Sequence, residues 1–288
     1  MNQEQTTSIN NPRLDTWLRL ENRYMRYTPP VFITSLLLVG HFTFGILDSA
    51  LFIGSAIVTS MVLELVLGKL FYGKWRNLAS AYISGISVGI LIRSTVLWPY
   101  IVTAALSIMS KYLLKYKGRH IWNPSNFGIS WMLFTAAYSV AGLSVQWGNN
   151  MYPLLVIWGL GLVIVWRAKR VRITLTYVFS FIFFAYIRSL ISGDNFFAEL
   201  APLTGPMYQL FIFFMITDPA TTLKNKKGQV LTAFLIALLE FVLRLNSFIY
   251  APFYALFLIG PVAKIFESYM DDRRAKMKND LSPAVRSA

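Results

Sequence analysis

Two polar turns at the mouths of apolar segments hold the residue types best suited to chemistry. The first is Gly118-Arg119-His120-Ile121-Trp122-Asn123-Pro124-Ser125-Asn126-Phe127-Gly128, which mixes amides with a proline and two glycines. Asn123 precedes a proline and is biased toward extended backbone. Pro124 or Ser125 then opens a helix whose first backbone N–H groups lack intrahelical partners. Such a start, flanked by Arg119 and amides, suits an anion or the polar edge of a heterocycle, although a plain N-cap turn uses the same letters. The second turn, Phe214-Met215-Ile216-Thr217-Asp218-Pro219-Ala220-Thr221-Thr222, runs into Lys224-Asn225-Lys226-Lys227-Gly228. Asp218 closes a short apolar segment, where an ionisable group is costly and is as a rule paired or functional. Its plainer reading is a turn carboxylate neutralised by the lysines that follow.

Four more ionisable residues, His41, Asp48, Glu64 and Glu240, sit in or near apolar runs. Glu64 and Glu240 lie deepest and could serve a proton or cation path. Pairing is the alternative, for instance Glu240 with Arg244 four residues on. Two histidines without neighbouring ligands at coordinating spacing make no metal site, and the absence of cysteine removes disulfides and thiolate-held metals. No Ser-His-Asp set, phosphate-cradling glycine loop or carboxylate pair of a hydrolase is present, so no catalytic residue is assigned.

The elements that position these turns belong in a bilayer. Of 288 residues, 56% are apolar and 14% charged, too little polar surface for a water-facing globule. Ten apolar runs follow Pro29-Pro30: 31–47, 49–67, 78–93, 96–114, 125–142, 152–166, 172–191, 206–217, 229–245 and 248–266. Several fall short of the ~20 residues of a straight span, and the third and eighth are the shortest convincing candidates for discontinuous or re-entrant helices. Ser80, Ser84, Gly85, Ser87 and Gly89 in the third allow close helix approach.

If every run crosses, all 27 Lys and Arg except Arg93, Arg188 and Arg244 fall on one side, the cytoplasmic side by the positive-inside rule. The net charge of +14 is then topological, and nucleic-acid binding is set aside. The expected fold is an all-α integral membrane protein of about ten transmembrane helices in two inverted five-helix repeats. It is placed in the inner membrane with both termini cytoplasmic. Residues 1–29 form a basic N-terminal segment in which Trp17, Leu18, Leu20, Tyr24 and Met25 interleave with Arg13, Arg19, Arg23 and Arg26, as in a headgroup-level helix. No signal peptide is recognisable there. Residues 30–268 form the membrane domain and 269–288 a basic tail.

The two turns, with Ser84-Gly85-Ile86-Ser87-Val88-Gly89 and Leu203-Thr204-Gly205-Pro206, carry a resemblance. Over most of residues 30–270 the chain resembles the flavoprotein membrane subunits of respiratory redox pumps. These are the B subunit of the sodium-translocating NADH:quinone oxidoreductase and the D subunit of the Rnf ferredoxin:NAD oxidoreductase. Lys111 to Gly128 matches the family's Lys-containing approach to Asn-Pro, and Phe211 to Gly228 its helix ending in Thr-Asp-Pro. The resemblance implies a ten-helix subunit that binds flavin and passes electrons, working with other subunits or a soluble redox partner on the cytoplasmic side. It also marks a departure. Family members attach FMN to the Thr of a Ser-Gly-Ala-Thr-like motif in a long loop after the fifth helix, whereas Gly142 to Tyr152 is short and holds neither Asp nor Thr. Thr204 lacks the motif's upstream Asp, so attachment is not assigned to it.

The expectation is therefore a flavin, riboflavin or FMN, held without a covalent bond. Asn123, Asn126, Thr217 and Asp218 are the polar candidates, and Trp122 and Phe127 the stacking partners. Two rival readings use the same architecture: a transporter or channel moving a small solute or ion past Glu64 and Glu240, and a scaffold within a larger assembly.

Overall fold

The computed structural model describes residues 49–142 and 151–286, together with 27, 30, 31, 33–35 and 38. Most of the N-terminal segment and of the first apolar run, His41, Asp48 and the interior of the 142–152 connection lie outside the described residues.

Helix α1 (Ala50–Tyr72) starts after extended Ser49 and stops at Gly73, whose left-handed φ of 66° lets its N–H cap the Lys69 carbonyl. Helix α2 (Ala79–Leu91) is 13 residues long, about 20 Å at the helical rise, well short of the ~30 Å hydrocarbon thickness. It hands over to strand β1 (Ile92–Arg93). Helix α3 (Trp98–Leu113) leads into a hairpin of β2 (Lys115–Tyr116) and β3 (Arg119–His120). Helix α4 (Pro124–Thr135) follows, and β4 (Ala141–Gly142) pairs antiparallel with β1.

Helices α5 (Met151–Arg167) and α6 (Val171–Ser192) precede the short α7 (Phe196–Leu200) and a 3₁₀ turn, Ala201–Thr204. Helix α8 (Pro206–Leu210) widens into a π-turn over Phe211–Met215, where the Ile216 N–H reaches the Phe211 carbonyl. Helices α9 (Lys226–Leu245) and α10 (Ala251–Arg286) complete the chain.

The fold is mostly helical; the third apolar run forms one unbroken helix of 13 residues, and the eighth a short helix that widens into the π-turn. Among the described residues, four helices are long and apolar enough to cross a membrane by length and composition: α1, α6, α9 and residues Ala251–Arg274 of α10.

Three sequence boundaries move. The fifth run stops being helical at Thr135, because Ala141–Gly142 is drawn into extended pairing with Ile92–Arg93. The fourth run, 96–114, forms helix only from Trp98 to Leu113, with Lys111 buried in its last turn. The basic stretch after residue 268 continues α10 as helix up to Arg286.

Helix α1 packs on α2 and α3, α3 on α4, and α9 on α6 and α10, while α4 also touches α2 and α10. Small residues set two of these approaches. A Cβ at Gly85 would lie 2.6 Å from the Ile57 Cα, and one at Gly128 would lie 2.4 Å from the Thr103 carbonyl. Tyr177, Phe181, Phe211, Phe213 and Phe253 are fully buried and give the second half an aromatic core.

Candidate functional site

The two polar turns meet. Asn123 holds extended backbone (φ −63°, ψ 124°) before Pro124, and its Oδ1 caps α4 by accepting the Asn126 N–H at 3.0 Å. That leaves its amide nitrogen free to reach across. It donates to Asp218 Oδ2 at 3.3 Å and to the Met215 carbonyl at 3.5 Å.

Asp218 in turn organises its own loop. Oδ1 accepts the Ala220 N–H at 3.0 Å, and Oδ2 also accepts the Thr221 hydroxyl at 3.0 Å. Among the described residues no lysine or arginine forms an ion pair with it. Hydrogen bonds, rather than ion pairs with the following lysines, satisfy its two oxygens.

The turn is braced from outside. Arg170 donates to the Leu223 carbonyl at 2.9 Å and Lys264 to the Thr222 carbonyl at 3.0 Å. Glu267 Oε1 accepts the N–H groups of Lys224 and Asn225 at 2.6 and 3.1 Å.

Beside this contact lies a cavity of about 460 Å³, enclosed by α2, β3, the start of α4, the end of α5 and residues 213–220. Its volume is within the usual range of small-molecule pockets. Ser80, Ile83, Ser84 and Ser87 line it at helical spacing along α2, and Ile164, Phe213, Phe214 and Met215 supply apolar wall. Asn123, Ser125, Thr217, Asp218, His120 and Arg167 bring polar groups to it.

Ser125 is buried, at 6% exposure, and its hydroxyl has no hydrogen-bond partner among the described residues. It sits in the first turn of α4, where Pro124 has no N–H, Asn123 takes those of Asn126 and Phe127, and the Ser125 N–H is left without an intrahelical partner. Burial lowers the pKa of His120; Lys111, Lys115 and Arg119 lower it further, and Asp218 opposes them. A neutral imidazole therefore faces the cavity at pH 7. It is able to donate from one nitrogen and accept at the other.

Of the six residues singled out as cofactor-binding, Asn123, Thr217 and Asp218 line this cavity. The other three face α10. Asn126 donates to the Phe253 carbonyl at 3.1 Å, with its Oδ1 buried and unpartnered, and Trp122 donates to the Phe257 carbonyl at 2.9 Å. The Trp122 and Phe127 rings pack edge-on at 5.6 Å, and each also meets Phe257. Thr204 is exposed and bonds its own turn at Ala201. Ser125, His120 and Arg167 were not assigned a role from sequence. The spacing of Ser80, Ser84 and Ser87 was the one signal that α2 offers a polar stripe.

The two carboxylates considered for an ion path are both committed. Glu64 meets Lys111 at 2.6 Å and accepts the Tyr112 hydroxyl at 3.0 Å, with all three side chains buried. Glu240, wholly buried, accepts from Arg244 at 3.0 Å and from the hydroxyls of Tyr177 and Tyr208. The Glu240–Arg244 pair is the one the i,i+4 spacing suggested.

No curated protein matches the chain. Residues 136–276, just under half of it, match the model of the NQR2, RnfD, RnfE family; this stretch holds the Asp218 turn and helices α5 to α9, whereas the Asn123 turn precedes it. Over residues 136–276 the chain is thus similar to the NQR2, RnfD, RnfE family.

Proposed function

We propose that this chain is an electron-carrying subunit of a multi-subunit membrane complex and holds a flavin, without a covalent bond, in the cavity beside Asn123 and Asp218. The observation that carries the reading is the Asn123–Asp218 hydrogen bond at the mouth of that cavity. It joins the two motif turns, 95 residues apart in sequence, into one polar edge against an apolar chamber.

The donor set fits an isoalloxazine. Such a ring needs apolar walls, acceptors and donors along one edge, and a volume in the pocket range. Ile83, Ile164, Phe213 and Phe214 would exclude water from the ring. The Ser125 hydroxyl, unpartnered as it stands, and the Ser125 backbone N–H would donate to ring carbonyls, and Asp218 would accept from a ring N–H. His120 would hold or release a proton at its imidazole nitrogen next to the same edge. Bound flavin supplies one- and two-electron transfer; family members bind FMN. Aromatic contact would come from Phe213 and Phe214 in place of Trp122 and Phe127. The ten crossings, the inverted repeats, the inner membrane and the cytoplasmic placement of both termini are parts of the same proposal. It rests on the one-sided Lys and Arg distribution.

The test is spectroscopic. Protein purified in mild detergent is expected to show oxidised-flavin bands that bleach with dithionite, and acid precipitation should release the chromophore to the supernatant. Asp218→Ala and Asn123→Ala should lose most of it while remaining folded. A colourless wild type, or pigment that stays with the precipitated chain, overturns the proposal. Colourless protein that carries solute across proteoliposomes would favour the transport reading instead.

A further inference from the structure

We propose that the end of the bundle where α1 turns into α2 carries a binding site for the headgroup of an anionic phospholipid, built around the ring of Tyr72. Among the described residues, cations converge there without counter-charges. Lys115 Nζ lies 4.5 Å from the Tyr72 ring centroid and also donates to its hydroxyl, and the Arg76 guanidinium lies 5.2 Å from the same centroid. Lys69 lies 5.6 Å from the Trp75 ring centroid one step away. Among the described residues no carboxylate pairs with Lys69, Lys74, Arg76 or Lys115. The nearby carboxylate of Glu64 is already taken by Lys111 and Tyr112.

Aromatic faces offset part of the repulsion between like charges, and a phosphodiester would offset the rest. An Arg fork beside a Lys ammonium is the usual pairing for such an anion.

The cluster is held in place from below. Tyr112, buried and bonded to Glu64, packs against Tyr72 at 6.0 Å and against Phe71 at 5.8 Å. Gly68 forms the notch through which Arg76 crosses α1, since a Cβ there would lie 2.4 Å from the Arg76 Cγ. A lipid is favoured over other anions by what flanks the charges. Leu70 (74% exposed), Trp75 (70%) and Phe71 continue the apolar surface of a membrane-length helix up to the basic rim. Acyl chain and headgroup would thus be met by adjoining surfaces.

The full chain in mild detergent is titrated with dioleoyl phosphatidylglycerol or dioleoyl phosphatidylcholine, and bound lipid is counted by native mass spectrometry. Wild type is expected to prefer the anionic lipid. Removing one cation should weaken that preference about fivefold, so Arg76→Gln with Lys115→Gln should weaken it about 25-fold. Lys115→Gln alone, a change on the hairpin, is the milder arm and should show the single-charge effect. Lys226→Gln with Lys227→Gln removes equal charge from the start of α9 and should leave the preference intact. An unchanged preference in the Arg76/Lys115 variant, or an equal loss in the Lys226/Lys227 control, overturns the site. Displacement of the lipid by millimolar inorganic phosphate would reassign it to a free anion, and displacement by polyglutamate to an acidic protein.

Discussion

The buried pair between Glu64 and Lys111 gives the sharpest energetic test, because its two halves are unequally placed. Nζ and Oε2 are 2.6 Å apart, with side chains 9% and 3% exposed. Removing one partner of such a pair costs about 3–5 kcal/mol, whereas replacing both by apolar groups is close to neutral. Lys111→Met leaves the Glu64 carboxylate within α1 with the Tyr112 hydroxyl alone, and should fall near the upper figure. Glu64→Gln leaves a lysine in the last turn of α3, from which its stem can extend toward the bundle end; it should fall near the lower one. The double variant Glu64→Leu/Lys111→Met should return to within about 2 kcal/mol of wild type. Reversible unfolding in mixed detergent micelles, read as a double-mutant cycle, measures all three. Strictly additive costs, or single variants that each lose less than about 1 kcal/mol, would refute the claim that this pair is a structural tie. Loss of ion flux in Glu64→Gln at unchanged stability would return Glu64 to an ion path.

Two further outcomes follow from the same geometry. The pKa of His120 is lowered on folding from the ordinary 6.5, so the unfolded chain binds its proton more readily and stability should fall as pH drops below about 6.5. Unfolding measured across pH 5 to 8 should show that slope in wild type and a flatter one in His120→Gln; a slope unchanged by the substitution removes His120 as its source. Gly128→Ala would push a methyl to within 2.4 Å of the Thr103 carbonyl and 2.3 Å of the Ser107 hydroxyl, forcing α3 off α4 at a cost of about 1–3 kcal/mol. An unaltered unfolding free energy would mean the helices yield more easily than their packing suggests.

Apolar runs and turn letters made most of the helices legible, because burial in lipid demands long apolar stretches and because caps are written in single residues. Asn123, Gly73 and Gly193 end or begin helices as their types dictate. What sequence could not show is decided by partners far along the chain. The halt of α4 at Thr135 has no breaker residue; it comes from strand pairing with residues 92 and 93. Lys111 reads as one more basic residue of the cytoplasmic side until Glu64, 47 positions earlier, is seen to face it.

The same logic divides the candidate site. Asn123 and Asp218 were legible because each is a polar residue at a place where an apolar helix must end, so local chemistry alone marked them. Trp122 and Phe127 were chosen for ring type. An aromatic ring in a chain so rich in them carries no address, and these two settled against Phe257. Ser125 illustrates the converse. Nothing in its letter separates it from any other N-terminal helix serine, and only the enclosing wall of α2 and α5 turns its hydroxyl into an unpartnered donor facing a chamber. The polar edge of the site could be read from helix ends. Its apolar walls could not, since they come from three segments far apart in the chain, α2, α5 and residues 213–215, that only the fold brings together.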